Sequence, residues 1–186
     1  MLHSEPCDQS YDCFQYYAVT TTPPHWVQAG WGFTLNTQFG MTNPKTYYEY
    51  CLIGCENHPN DPTYYRLQFQ EDQNWGTTVN YQVYYDSTQG NNYWCSVINA
   101  QVRNCSYTQS SPTWVLAEAE VHNYPSTEMF TLYDYIKVRN VNNIWIDPNL
   151  DSNLYAMAPY QAIKIDYKSF LAIGRGTDVY LPVIKK

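Results

Sequence analysis

The residues of this chain whose types and spacing suit hydrolytic chemistry are a glutamine at position 28 and two carboxylates at positions 118 and 120. Gln28 lies in Trp26-Val27-Gln28-Ala29-Gly30-Trp31, and the glutamates lie in Leu116-Ala117-Glu118-Ala119-Glu120-Val121-His122-Asn123. Each stretch alternates like a strand with one buried face. Val27, Ala29 and Trp31 share one side, and Trp26, Gln28 and Gly30 the other. Ala117, Ala119 and Val121 share one side, and Leu116, Glu118, Glu120 and His122 the other. An amide and a carboxylate can therefore stand on the open face of one sheet. Such a carboxylate can take a proton from water, and such an amide can donate to a developing oxyanion.

The elements that must carry these groups are predominantly strands. Strand-like runs bounded by turn residues cover 14–20, 26–35, 46–52, 64–70, 78–86, 93–98, 101–106, 113–122, 130–140, 160–167 and 179–183. Asn99-Ala100 reads as a tight hairpin with Cys95 and Cys105 placed to clamp it. Helical periodicity is scarce, with one short turn expected over 151–157. The expected fold is all-β: a two-sheet antiparallel sandwich in a single domain spanning residues 1–186.

Bulk composition narrows the function. Ten basic residues stand against 17 acidic ones, for a net charge of -7. That balance argues against nucleic-acid partners, which need clustered Lys and Arg. No segment is long and apolar enough for a membrane span, and no signal peptide is visible, so the chain reads as a mature form. The six cysteines fall in close pairs, Cys7 with Cys13, Cys51 with Cys55 and Cys95 with Cys105. Even number and short gaps suggest local disulfides, an oxidising compartment and a secreted protein. Neither the cysteines nor His3, His25, His58 and His122 have metal-ligand spacing, so no metal or other cofactor is expected. Asn104-Cys105-Ser106 is a weak glycosylation sequon.

The segments Trp26–Trp31, Tyr47-Tyr48-Glu49-Tyr50 and Ala119–Asn123 occur in the order seen in glutamic peptidases, and the chain resembles that family over about residues 26–141. The first segment is similar to both eqolisins, which carry a glutamine there, and neprosins. The second is similar to the Trp-Tyr-Glu-Trp segment of eqolisins, and the third to the Gly-Gly-Glu-Val-Val-Asn segment of neprosins. Asp134-Tyr135-Ile136-Lys137-Val138 falls where those families have a further core strand. The resemblance implies a bent, concanavalin-A-like jelly roll with a polypeptide substrate in its concave groove. It implies Gln28 and Glu120 as the catalytic pair, with Val121 and Asn123 favouring Glu120 over Glu118. Glu118, Glu49, Trp26, Trp31 and Tyr48 are the further candidates for catalysis or substrate binding. Departures exist: position 28 follows eqolisins while the glutamate context follows neprosins, and tyrosines flank Glu49.

Plainer readings stand beside this one. Gln28, Glu118 and Glu120 fit any solvated strand face, and Glu49 fits a simple hydrogen bond to a tyrosine. The same sandwich also suits a lectin-like module with Trp94, Trp114, Tyr84 or Tyr93 stacking on sugars, or a structural extracellular subunit. Two groove carboxylates fit a glycoside hydrolase as well, although Glu118-Ala119-Glu120 lacks an intervening Asp.

Overall fold

The computed structural model describes residues 2–3, 13–21, 25–34, 41, 43–74, 76–109, 114–121, 130–139, 144–148, 150, 154–156 and 160–173. For residues 2, 3, 114, 120, 121, 130, 138 and 139 it describes the backbone. The strands are β1 (Leu2–His3), β2 (Cys13–Thr20), β3 (Trp26–Phe33), β4 (Lys45–Cys51), β5 (Tyr65–Asp72), β6 (Tyr81–Tyr85) and β7 (Tyr93–Ile98). They continue as β8 (Gln101–Tyr107), β9 (Trp114–Val121), β10 (Phe130–Tyr133), β11 (Val138–Arg139), β12 (Trp145–Ile146), β13 (Gln161–Asp166) and β14 (Ser169–Ile173). Among the described residues there is no α-helix, only a 3-10 turn at Cys55–Asn57.

The fold is an all-β sandwich of antiparallel sheets. One layer is a five-stranded sheet in the order β5-β4-β3-β2-β9. Its inner face carries Ala29, Trp31 and Phe33 from β3 and Cys13 from β2. These pack against Val79, Tyr81 and Ile98 around the β6-β7-β8 sheet, and against Tyr133, Phe170 and Ala172 of the β1-β10-β14-β13 sheet. Strand alternation explains this division, because residues of one parity on β3 are apolar and fill the core.

Turn chemistry and disulfides fix the strand ends. Asn99 and Ala100 both have positive φ, 49° and 62°, as a two-residue hairpin requires. Cys95 and Cys105 face each other in register across β7 and β8 and are bonded. Cys51 is bonded to Cys55 at the end of β4. Cys13 is disulfide-bonded, and Cys7, its expected partner, lies outside the described residues.

Two sequence expectations change. The run expected over 130–140 splits into β10 and β11, because Tyr135 takes a positive φ of 54° between them. β1, β12 and β14 lie outside the expected strands; all five residues of β14 are buried, so no alternation marks it. The strand expected over 179–183 lies outside the described residues, as does most of the expected turn over 151–157.

Candidate active site

The outer face of the five-stranded sheet forms a groove of 450 Å³. Phe14, Tyr16, Ala18 and Thr20 of β2 line it, with Trp26 and Gln28 of β3, Glu49 of β4, Tyr65 and Leu67 of β5, and Leu116 and Glu118 of β9. Gly30 and Gly32 share the parity of Gln28, and their missing side chains let β2 close over β3. A Cβ on Gly30 would fall 2.7 Å from both Cα and Cβ of Tyr16, and one on Gly32 would fall 2.5 Å from the Phe14 ring. The Phe14 ring also packs edge-on against Tyr47 and stacks with Phe69, which makes an aromatic floor beyond Gln28.

Gln28 is buried, 7% exposed, and pinned from three directions. Its backbone carbonyl accepts a hydrogen bond from Ser96 Oγ of the other layer at 3.0 Å. Its Nε2 donates to Tyr47 Oη at 3.1 Å and to Glu49 Oε2 at 2.5 Å. Both amide hydrogens are thereby committed. Its Oε1 has no partner among the described residues. Glu49 stands opposite Gln28 in register, and its second oxygen, Oε1, accepts from Tyr65 Oη at 2.9 Å. Burial, then the Glu49 charge and hydrogen bond, push the Tyr65 phenol well above its usual range, so it remains a donor.

The two candidate glutamates of β9 differ in position along the strand. β3 and β9 are not neighbours; both pair with β2, which runs between them. Ala18 is opposite both Gln28 and Leu116, Tyr16 opposite both Gly30 and Glu118, and Phe14 opposite both Gly32 and Glu120. With strands ~4.8 Å apart and residues rising ~3.4 Å, the Cα of Glu118 lies ~12 Å from that of Gln28, and the Cα of Glu120 ~17 Å. A single water between two such side chains suits the shorter span. Glu118 lines the groove with Gln28. The side chain of Glu120 lies outside the described residues, as do His122 and Asn123 entirely.

Of the other candidates, Trp26 and Glu49 line the groove, whereas Trp31 and Tyr48 do not. Trp31 is fully buried among Ala29, Phe33 and the second layer. Tyr48, 7% exposed, packs with Val19, Val27 and Tyr50. Odd parity on β3 and even parity on β4 turn both to the inner face, so they are core residues. Tyr47 and Tyr65 are groove-face partners that motif reading passed over. Their signal was parity with Glu49 on β4 and with Leu67 on β5. The grouping of Asp86 with Cys95 and Cys105 offers no thiolate ligands, because the two sulfurs are bonded to each other. No family model, no curated protein and no solved structure matches this chain.

Proposed function

We propose that this protein is a secreted, acid-acting peptide hydrolase of the glutamic type, with Gln28 and Glu118 holding the attacking water between them. The observation that carries this reading is the committed amide of Gln28. With both hydrogens tied to Glu49 and Tyr47, it turns an acceptor oxygen toward a groove that also holds a carboxylate. On this reading the water donates one hydrogen to Gln28 Oε1 and the other to Glu118. Glu118 takes that proton as the water oxygen attacks the scissile carbonyl carbon. The resulting carboxylic acid then protonates the leaving amine as the C–N bond breaks, so base and acid are the same group. Gln28 acts here by holding the water rather than by donating to the oxyanion, a role its occupied hydrogens do not support. The acid setting fits a carboxylate base, and the disulfides fit an oxidising compartment. A bent sandwich with a polypeptide along its open face completes the reading.

The test is digestion of denatured casein at about pH 4, near the ordinary carboxyl range. Glu118→Gln should lower the rate by ~10²-fold or more, while Glu120→Gln should cost far less. Loss of activity in Glu120→Gln alone would reassign the base, and a folded wild-type protein inert toward every polypeptide in acid would end the proposal. One observation favours a second reading, a non-enzymatic carbohydrate-binding module. Trp26 and Tyr65 bring two half-buried aromatic rings to the groove. Retention on polysaccharide without proteolysis would select it.

A further inference from the structure

We infer that the end of the groove formed by Trp26, Glu49 and Tyr65 is a subsite for a basic side chain, so that the polypeptide it accepts presents lysine or arginine there. The inference rests on the peptidase reading for the identity of the ligand as a polypeptide. Its geometry comes from the sheet. Trp26 pairs with Cys51, which pairs with Tyr65, so the two aromatic residues flank β4 two strand spacings apart, ~10 Å. Cys51 itself is tied back to Cys55, so no long side chain stands between the rings. Glu49 sits one step further along β4 on the same face, next to both.

The polar chemistry of this corner centres on the Glu49 carboxylate. Glu49 takes hydrogens from Gln28 on one oxygen and from Tyr65 on the other. Among the described residues no lysine, arginine or histidine lines the groove. Two aromatic faces and a carboxylate match an ammonium or guanidinium on an alkyl stem, through charge, hydrogen bonds and cation–π contact. A glutamate side chain at the same place would stand beside the like charge of Glu49.

The test compares a fluorescein-labelled peptide carrying one lysine in an Ala/Ser background with its Nε-acetylated twin. Binding is read by anisotropy on wild-type protein near neutral pH, and cleavage sites are mapped in acid by mass spectrometry on a mixed peptide pool. The lysine form should bind about tenfold more tightly, and cut sites should cluster beside Lys and Arg. Glu49→Gln, which keeps the size and drops the charge, should erase the difference between the twins. Equal affinity for both peptides would overturn the inference. Cleavage without basic preference would also overturn it while leaving the hydrolytic reading intact. Lysine-selective binding with no cleavage at any pH would keep the cation site and overturn the hydrolytic reading instead.

Discussion

Gln28 and Glu49 face each other in register on neighbouring antiparallel strands, and the amide nitrogen of the first donates to the carboxylate of the second at 2.5 Å. This contact fixes which way the amide points. A flipped amide would set two acceptors against each other, at Glu49 and again wherever Tyr47 is not donating. The direct carboxyl neighbour of Gln28 is therefore Glu49, twenty-one positions on, and not a glutamate of β9. Gln28, Glu49 and Glu118 share a single sheet face, and Glu49 orients the Gln28 amide.

Gln28→Glu tests that contact through its pH dependence. The substitution places two carboxyls at hydrogen-bond distance, where one must hold its proton to avoid like-charge repulsion. That group's folded-state pKa lies above its unfolded value of ~4.3. Its stabilising contribution is then complete below that value and is lost as pH rises through the folded pKa. Urea midpoints should show the variant close to wild type in acid and progressively less stable toward neutrality. A constant offset between the two proteins from acid to neutral pH would mean that the side chains do not meet.

Gly30→Ala addresses the close approach of β2 and β3 beside the groove. The added Cβ would lie 2.0 Å from the backbone oxygen of Gln15 and 2.7 Å from Tyr16 Cα. Backbone cannot yield as a flexible side chain does, so the strands must separate. The expected loss is ~3 kcal/mol or more of unfolding free energy, read from denaturant melts. A variant as stable as wild type would show that β2 does not lie over Gly30 in this way.

Much of this arrangement was legible in local pattern. Alternation along Trp26–Phe33 separates Gln28 from Trp31, so parity already assigns Trp31 to the core, against the motif that made it a site candidate. Alternation over 64–70 likewise puts Tyr65 and Leu67 on one face, and both line the groove. The cysteine pairs at 51/55 and 95/105 followed from spacing alone. What the pattern did not carry was strand order. Nothing local to β3 or β9 says that β2 runs between them, yet that insertion sets how far each glutamate stands from Gln28. Register is fixed by long-range pairing, and a step of two residues keeps the face while moving a side chain by ~7 Å. The choice between Glu118 and Glu120 depends on that step. β14 escaped for a related reason: a strand buried on both sides shows no period to read.

Alkali should unfold the protein through its buried tyrosines, and one of them reaches the site. Tyr133 is fully buried, and its hydroxyl donates to the backbone oxygen of Glu118, tying β9 to the second layer. Burial, followed by the nearby groups Tyr17, Tyr16 and Glu118, pushes its pKa far up. Tyr81 is raised by burial, then by Tyr17 and Glu71. Each folded-state pKa lies above the unfolded value of ~10. The folded protein thus holds more protons than the unfolded chain once pH passes that value. The contribution of each tyrosine is complete below ~10 and declines above it by ~1.4 kcal/mol per pH unit. Tyrosinate absorbance from these residues should appear together with loss of the strand circular-dichroism signal, not before it. Tyr133→Phe removes one such group, so its stability should fall less steeply in alkali, although the lost hydrogen bond costs ~1 kcal/mol at neutral pH. An unchanged alkaline slope in that variant, or complete tyrosine ionisation with the fold intact, would show that Tyr133 is not sealed beneath β9.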